Sequence, residues 1–260
     1  MGHRLLGELP RTRNWQNVIA LLGLTSDPVK IADATSKAAQ RGLDMAARDN
    51  GVAETAYMLM SVIWAARRDS FRRDVARLGL TLGKDASLLD TVGAFDAALD
   101  GRLRQLGHRT DLAEMARFAA VEALTEVAAS QTGNLFGVSF EDTQDSLRQY
   151  ATPDHFGEVG QRFFGHFLYR FLDYHLSREL PNHVGSDQRW ESVEGLRHFK
   201  DALALHCQQS ARIVKEFAGC WPSATEFRGG ITAENVRTKF IPVALRKVRS
   251  ELRQREGTHA

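Results

Sequence analysis

The sequence predicts an all-α protein, a multi-helix bundle of roughly nine to ten helices, and three observations carry that expectation. Apolar residues recur at helical spacing through most of the chain. Helix start and stop residues punctuate those stretches at regular intervals. No segment of alternating β-branched residues reaches strand length, and no repeat period of 20 to 50 residues is present.

The elements follow in order. Ser26-Asp27-Pro28 places an N-cap before a proline at the first helical position, and the Ala-rich stretch after it predicts a long helix stopped at Asn50-Gly51. From Val52 to Arg68, the spacing of Ala56, Leu59, Met60, Ile63 and Trp64 predicts a second helix packed on the first. Further helices are expected at Phe71 to Leu78, Ser87 to Leu106 and Asp111 to Ser130, the last opened by the capping pair Asp111 and Glu114. Gln131 to Gly137 interrupts the pattern and separates an Ala-rich half, residues 1–132, from an aromatic-rich half, residues 133–260. The two halves are expected to pack closely, as two units or one continuous domain.

In the second half, Ser139 caps a short helix to Tyr150, with Glu141, Asp142 and Asp145 serving its N-terminal end. Thr152-Pro153 opens a longer helix to about Leu180. Phe156, Val159, Phe163, Phe164, Phe167, Phe171, Leu172 and His175 give it an apolar face too broad for a surface helix, which predicts the hub of the core. Pro181 to Asp187 is expected as a loop, followed by a helix from Ser192 to Ala218 that stops at Gly219. Thr232 caps a last helix to Gln254, kinked or broken near Pro242. Trp190 and Trp221 are expected on exposed loops.

Composition narrows the function classes. An apolar share of 43% and a charged share of 25% are those of an ordinary globular chain that buries a core without metal or disulfide staples. Cys207 and Cys220 have no partner motif around them, which fits buried thiols in a reducing compartment. No segment has the apolar length of a signal peptide or a spanning helix, and Leu6 stands where a myristoylation pattern needs Ser or Thr, so a cytoplasmic protein with no membrane partner is expected. No phosphate-binding loop, dinucleotide fingerprint, nucleophile elbow or zinc ribbon occurs, and neither a metal nor an organic cofactor is expected. Six of the nine histidines lie between His155 and His206, but pairs such as His166 with His175 and His198 with His206 lack the three- or four-residue spacing of ligands on one helix.

Two segments remain as candidate sites. Arg178-Glu179-Leu180-Pro181-Asn182-His183 contains an Arg-x4-His pattern, which in an all-helical protein resembles the signature of HEPN ribonucleases. The resemblance implies that Arg178 stabilises a phosphate and His183 acts on a ribose hydroxyl in a metal-independent cleavage. From Arg228 onward the chain carries eight Arg or Lys against three Glu, and Arg246, Lys247, Arg249 and Arg253 recur on the last helix as candidates for nucleic-acid binding. The expectation placed first is neither of these. It is a non-catalytic helical subunit that binds a protein partner within a larger bacterial assembly, with the ribonuclease and the nucleic-acid-binding module as alternatives.

Overall fold

The computed structural model describes residues 12–130, 137–219, 221 and 230–254. Its elements are α1 (Arg13–Leu24), α2 (Pro28–Ala38), α3 (Gln40–Ala46), α4 (Asn50–Ala65), α5 (Phe71–Arg77), α6 (Leu88–Leu106), α7 (Asp111–Ala128), α8 (Phe140–Tyr150), α9 (Pro153–Leu176), α10 (Val193–Ser210) and α11 (Arg212–Gly219). A 3-10 turn (Leu180–His183) follows α9. A helical turn (Ala233–Asn235), a π-turn (Val236–Phe240) and α12 (Ile241–Gln254) run on without a break. The protein is all-α, with a helix count close to the nine or ten expected. Among the described residues the only β contact is an isolated bridge between Val184 and Trp190. No described helix is long and apolar enough to cross a membrane.

Local chemistry explains where the helices begin. Asp27 accepts a hydrogen bond from the Val29 N–H at 2.9 Å, with Pro28 in the first turn. Ser87 with Asp90 and Ser139 with Asp142 each form a reciprocal capping box. Asp49 accepts from the N–H groups of Gly51 and Val52, and the Thr110 hydroxyl donates to the same carboxylate at 2.9 Å. Thr110 in turn accepts from Ala113 N–H, so one polar cluster starts α4 and α7 together.

Packing centres on α9, which lies against α7, α8, α10, α11 and α2. Its buried Phe163 meets Phe164 edge-on at 5.0 Å and stacks with Phe167 at 6.4 Å. Phe164 reaches Phe240 of the π-turn, which also packs on Phe217 and Trp221. Gly157 lets α11 approach to backbone contact: a Cβ there would lie 2.1 Å from the Lys215 carbonyl oxygen. The α4–α7 seam likewise has a glycine, Gly51, at its close approach to Ala113, and both helices bury alanines, Ala53 and Ala56 on α4 and Ala116, Ala120 and Ala123 on α7. A buried core runs from Val18 to Leu252, and α2 is enclosed by α1, α9, α10 and α12. Most of the expected boundary segment, residues 131–136, lies outside the described residues.

Several local expectations are corrected. Gly51 does not stop a helix; it stands in the first turn of α4, where a Cβ would meet the His108 carbonyl at 2.4 Å and Ala113 at 2.5 Å. The stretch before it is two helices, broken at Ala39, and α1 precedes them. Thr110, not Asp111, caps α7. The helix expected from Ser192 to Ala218 is divided at Ala211 into α10 and α11. Near Pro242 the departure is a π-turn: Ile241 N–H bonds the Val236 carbonyl, five residues back, just before a proline with no N–H to continue the α pattern. Trp190 and Trp221 are buried, because Trp190 packs against Phe199 at 5.0 Å and Trp221 against Phe240 at 5.1 Å.

Candidate functional site

The inward face of α9 is occupied by its phenylalanines, which leaves Glu158, Arg162, His166 and Arg170 on the outer side at four-residue spacing. Helix α7 offers Glu122 and Glu126 at the same spacing, so the two rows interlock. Arg170 holds Glu122 with both Nη2 (2.6 Å) and Nε (3.3 Å). His166 stands between carboxylates, Nδ1 at 3.3 Å from Glu122 and Nε2 at 2.9 Å from Glu126. Arg162 reaches Glu126 at 3.4 Å and Glu158 at 3.5 Å, and Lys215 of α11 closes the row on Glu158 at 3.0 Å. Carboxylates and nitrogen-bearing side chains therefore alternate from Arg170 to Lys215 across three helices. Burial pushes the Glu158 carboxyl up, but Lys215, Arg162 and His155 outweigh it and hold it below the ordinary carboxylate range.

This ladder is one wall of a cavity of about 550 Å³ whose other side is α10, with Ala204, Leu205 and Gln208. Gly165 keeps the floor low, since a Cβ there would lie 2.3 Å from the Gln208 side chain. Gln161 donates to the Gln208 carbonyl at 3.2 Å and ties the two walls together. A second cavity of about 280 Å³, lined by Met115, Phe118 and Tyr174 with Asp111, Glu114 and Asp173, has Tyr169 as a lining residue in common with the first. Burial, then Asp173, pushes the Tyr169 hydroxyl up to about 12, so it is a neutral hydrogen-bonding group at physiological pH. Phe118 is 43% exposed and lies between the guanidinium groups of Arg117 (4.6 Å) and Arg170 (5.1 Å). Leu205, across the groove, is 59% exposed.

The chemistry of the groove is that of paired charges beside exposed apolar side chains. Its cations are matched by carboxylates, and among the described residues lining the larger cavity none is Ser, Thr or Cys. Among the described residues no three His, Cys, Asp or Glu side chains assemble as a metal site.

The candidates from the sequence sit elsewhere. Arg178 is exposed just beyond α9, its guanidinium 5.5 Å over the Tyr174 ring. His183 is half-buried at the end of the 3-10 turn, its ring edge-on to Trp190 at 6.4 Å and its carbonyl accepting the Trp190 N–H at 3.0 Å. The two side chains are thus held against different aromatic rings. Arg246 and Lys247 are exposed on α12, whereas Arg249 is half-buried and paired with Asp44 of α3 at 2.6 Å. The Arg253 side chain and Cys220 lie outside the described residues. His175, on α9 near Arg178, is 6% exposed, and burial followed by the Arg178 charge lowers it to about 4.

The ladder is the feature that the sequence reading passed over. Its signal was present as Glu122-x3-Glu126 and as Glu158, Arg162, His166 and Arg170 at successive fours, but the two rows identify each other only once α7 and α9 are known to be neighbours. Compared with known proteins, the chain matches no family model, no curated protein and no solved structure.

Proposed function

We propose that the protein is a non-catalytic helical subunit that binds a partner protein, and that the groove along α9 is its docking surface. The observation that carries this reading is the placement of two exposed large apolar side chains, Leu205 and Phe118, beside one groove whose walls are prepositioned by ion pairs. Interfaces gain most of their affinity from such apolar and aromatic anchors in a polar surround, and rigid walls lower the cost of ordering them. The lining carboxylates are matched by cations: Glu114 by Arg117, Asp173 by Lys200, Glu126 by Arg162 and Glu158 by Lys215. The fitting partner segment is an amphipathic helix that offers apolar side chains to Leu205 and Phe118 and charges of both signs to the ladder.

Site-specific photocrosslinking from positions 118 and 205 tests this, with position 193 as control because Val193 is 75% exposed at the far end of α10. The expected result is one stoichiometric protein adduct from 118 and 205, mapping to an amphipathic helix, absent from 193 and lost in Phe118→Ser. Equal labelling from all three positions, or co-purification of RNA with no protein adduct, overturns the reading.

A further inference from the structure

A third cavity, of about 330 Å³, lies between α3 and the start of α12, and it shares no residue with the two beside α9. Its floor is apolar: Leu43 and Leu245 are buried beneath it and Pro242 and Ala47 border it. Around the rim stand three guanidinium groups, Arg48 from α3's end and Arg246 and Arg249 from successive turns of α12, against a single carboxylate, Asp44. Asp44 is committed to Arg249. Arg48 and Arg246 are exposed, and their guanidinium groups have no hydrogen-bond or ion-pair partner among the described residues. In the two cavities beside α9 the lining arginines, Arg162 and Arg170, are both paired. Here two unpaired ones and a third, pre-oriented by Asp44, face one space with a net charge of +2, three cations less one anion.

We propose that this cavity binds a small organic phosphate, with the phosphate held by Arg48, Arg246 and Arg249 and the apolar body of the ligand laid on Leu43, Pro242 and Leu245. Guanidinium forks match phosphate oxygens bidentately, and the apolar floor gives the non-phosphate part of such a ligand a surface that inorganic phosphate does not use. The volume sits at the lower end of the roughly 300–1,000 Å³ common for ligand pockets, which suits a mononucleotide-sized molecule. Strand tracking by nucleic acid needs cations spaced along a strip, with aromatic side chains for the bases. This site instead gathers its cations around one cavity, and none of its lining residues is aromatic.

The test is isothermal titration of the full chain with inorganic phosphate, phenyl phosphate, AMP and a short single-stranded oligonucleotide, at low and moderate salt. Phenyl phosphate or AMP is expected to bind more tightly than inorganic phosphate. Arg48→Ala and Arg246→Ala should each weaken that binding by about tenfold or more, while Lys247→Ala, exposed on the same helix but outside the cavity, changes it by less than about twofold. Circular dichroism of the variants verifies that these exposed substitutions leave the fold intact. The proposal is overturned if neither organic phosphate binds at millimolar concentration, or if Lys247→Ala weakens binding as much as Arg246→Ala. Oligonucleotide binding that survives Arg48→Ala overturns it as well, in favour of a nucleic-acid surface on α12.

Discussion

On its inner face α9 carries Phe156, Phe163, Phe164, Phe167 and Phe171, none more than 2% exposed, whereas its outer face carries Glu158, Arg162, His166 and Arg170, each in polar contact with a neighbouring helix. Both faces join α9 to its surroundings, but they do so at different energetic cost. Removing apolar aromatic surface from water contributes kilocalories per side chain, while half-exposed ion pairs, screened by solvent, contribute little to stability and much to the position of the walls. Burial on the inner face therefore supplies most of what α9 adds to stability, while the ion pairs of the outer face fix where α7, α9 and α11 stand relative to one another.

The largest effect is expected from the inner face. Phe167→Ala, at a fully buried ring stacked on Phe163, should lower the unfolding free energy by about 3–5 kcal/mol in urea denaturation. A loss below about 1 kcal/mol would break the comparison.

His175 sharpens it through pH. This imidazole is neutral in the folded protein because burial, and then Arg178, depress it to about 4, while the unfolded chain titrates near the ordinary histidine value of about 6.5. Between those two values the unfolded state binds a proton that the folded state does not, so stability is fully present above about pH 6.5 and declines as pH falls toward 4. The decline attributable to this residue amounts to about 3 kcal/mol, and His175→Gln should flatten that part of a stability curve measured from pH 7 to pH 4.

Gly157→Ala tests the close approach of α11. The new methyl would meet the Lys215 carbonyl oxygen, and a loss of about 2 kcal/mol is expected as the two helices separate. The smallest effect belongs to the outer face: Glu122→Gln removes the partner of Arg170 and His166 yet should cost less than about 1 kcal/mol, measured by thermal unfolding. If that substitution proves as damaging as Phe167→Ala, the ladder is a structural element rather than a recognition surface.

The two grooves differ in the same informative way. Along α9 the arginines are paired and the apolar anchors project; between α3 and α12 two arginines are unpaired and the apolar residues are recessed. The first arrangement suits a surface that meets another protein, the second a cavity that takes an anion.

How much of this was legible in the sequence depends on how local the cause is. Asp27-Pro28, Ser87 with Asp90, Ser139 with Asp142, and Thr232 declare their helices because a cap acts on N–H groups two or three residues away. The Phe pattern of α9 announced a buried hub, since helical periodicity shows which residues share a face. Gly51 and the two tryptophans misled for the opposite reason. A glycine can end a helix or admit a neighbouring backbone, and a loop tryptophan can be exposed or inserted, and which holds is set by residues such as His108, Ala113, Phe199 and Phe240 that lie far along the chain.

By itself the sequence determined the all-helical class, the caps at Asp27, Ser139 and Thr232 and the apolar faces of α4 and α9, because hydrogen bonding and periodicity act over a few residues. Only the tertiary structure decided that Glu122 and Glu126 would mesh with His166 and Arg170, and that Arg48 would share a cavity with Arg246. Those arrangements are relations between helices, and a relation between helices is set by how their buried faces pack rather than by any signal either helix carries alone.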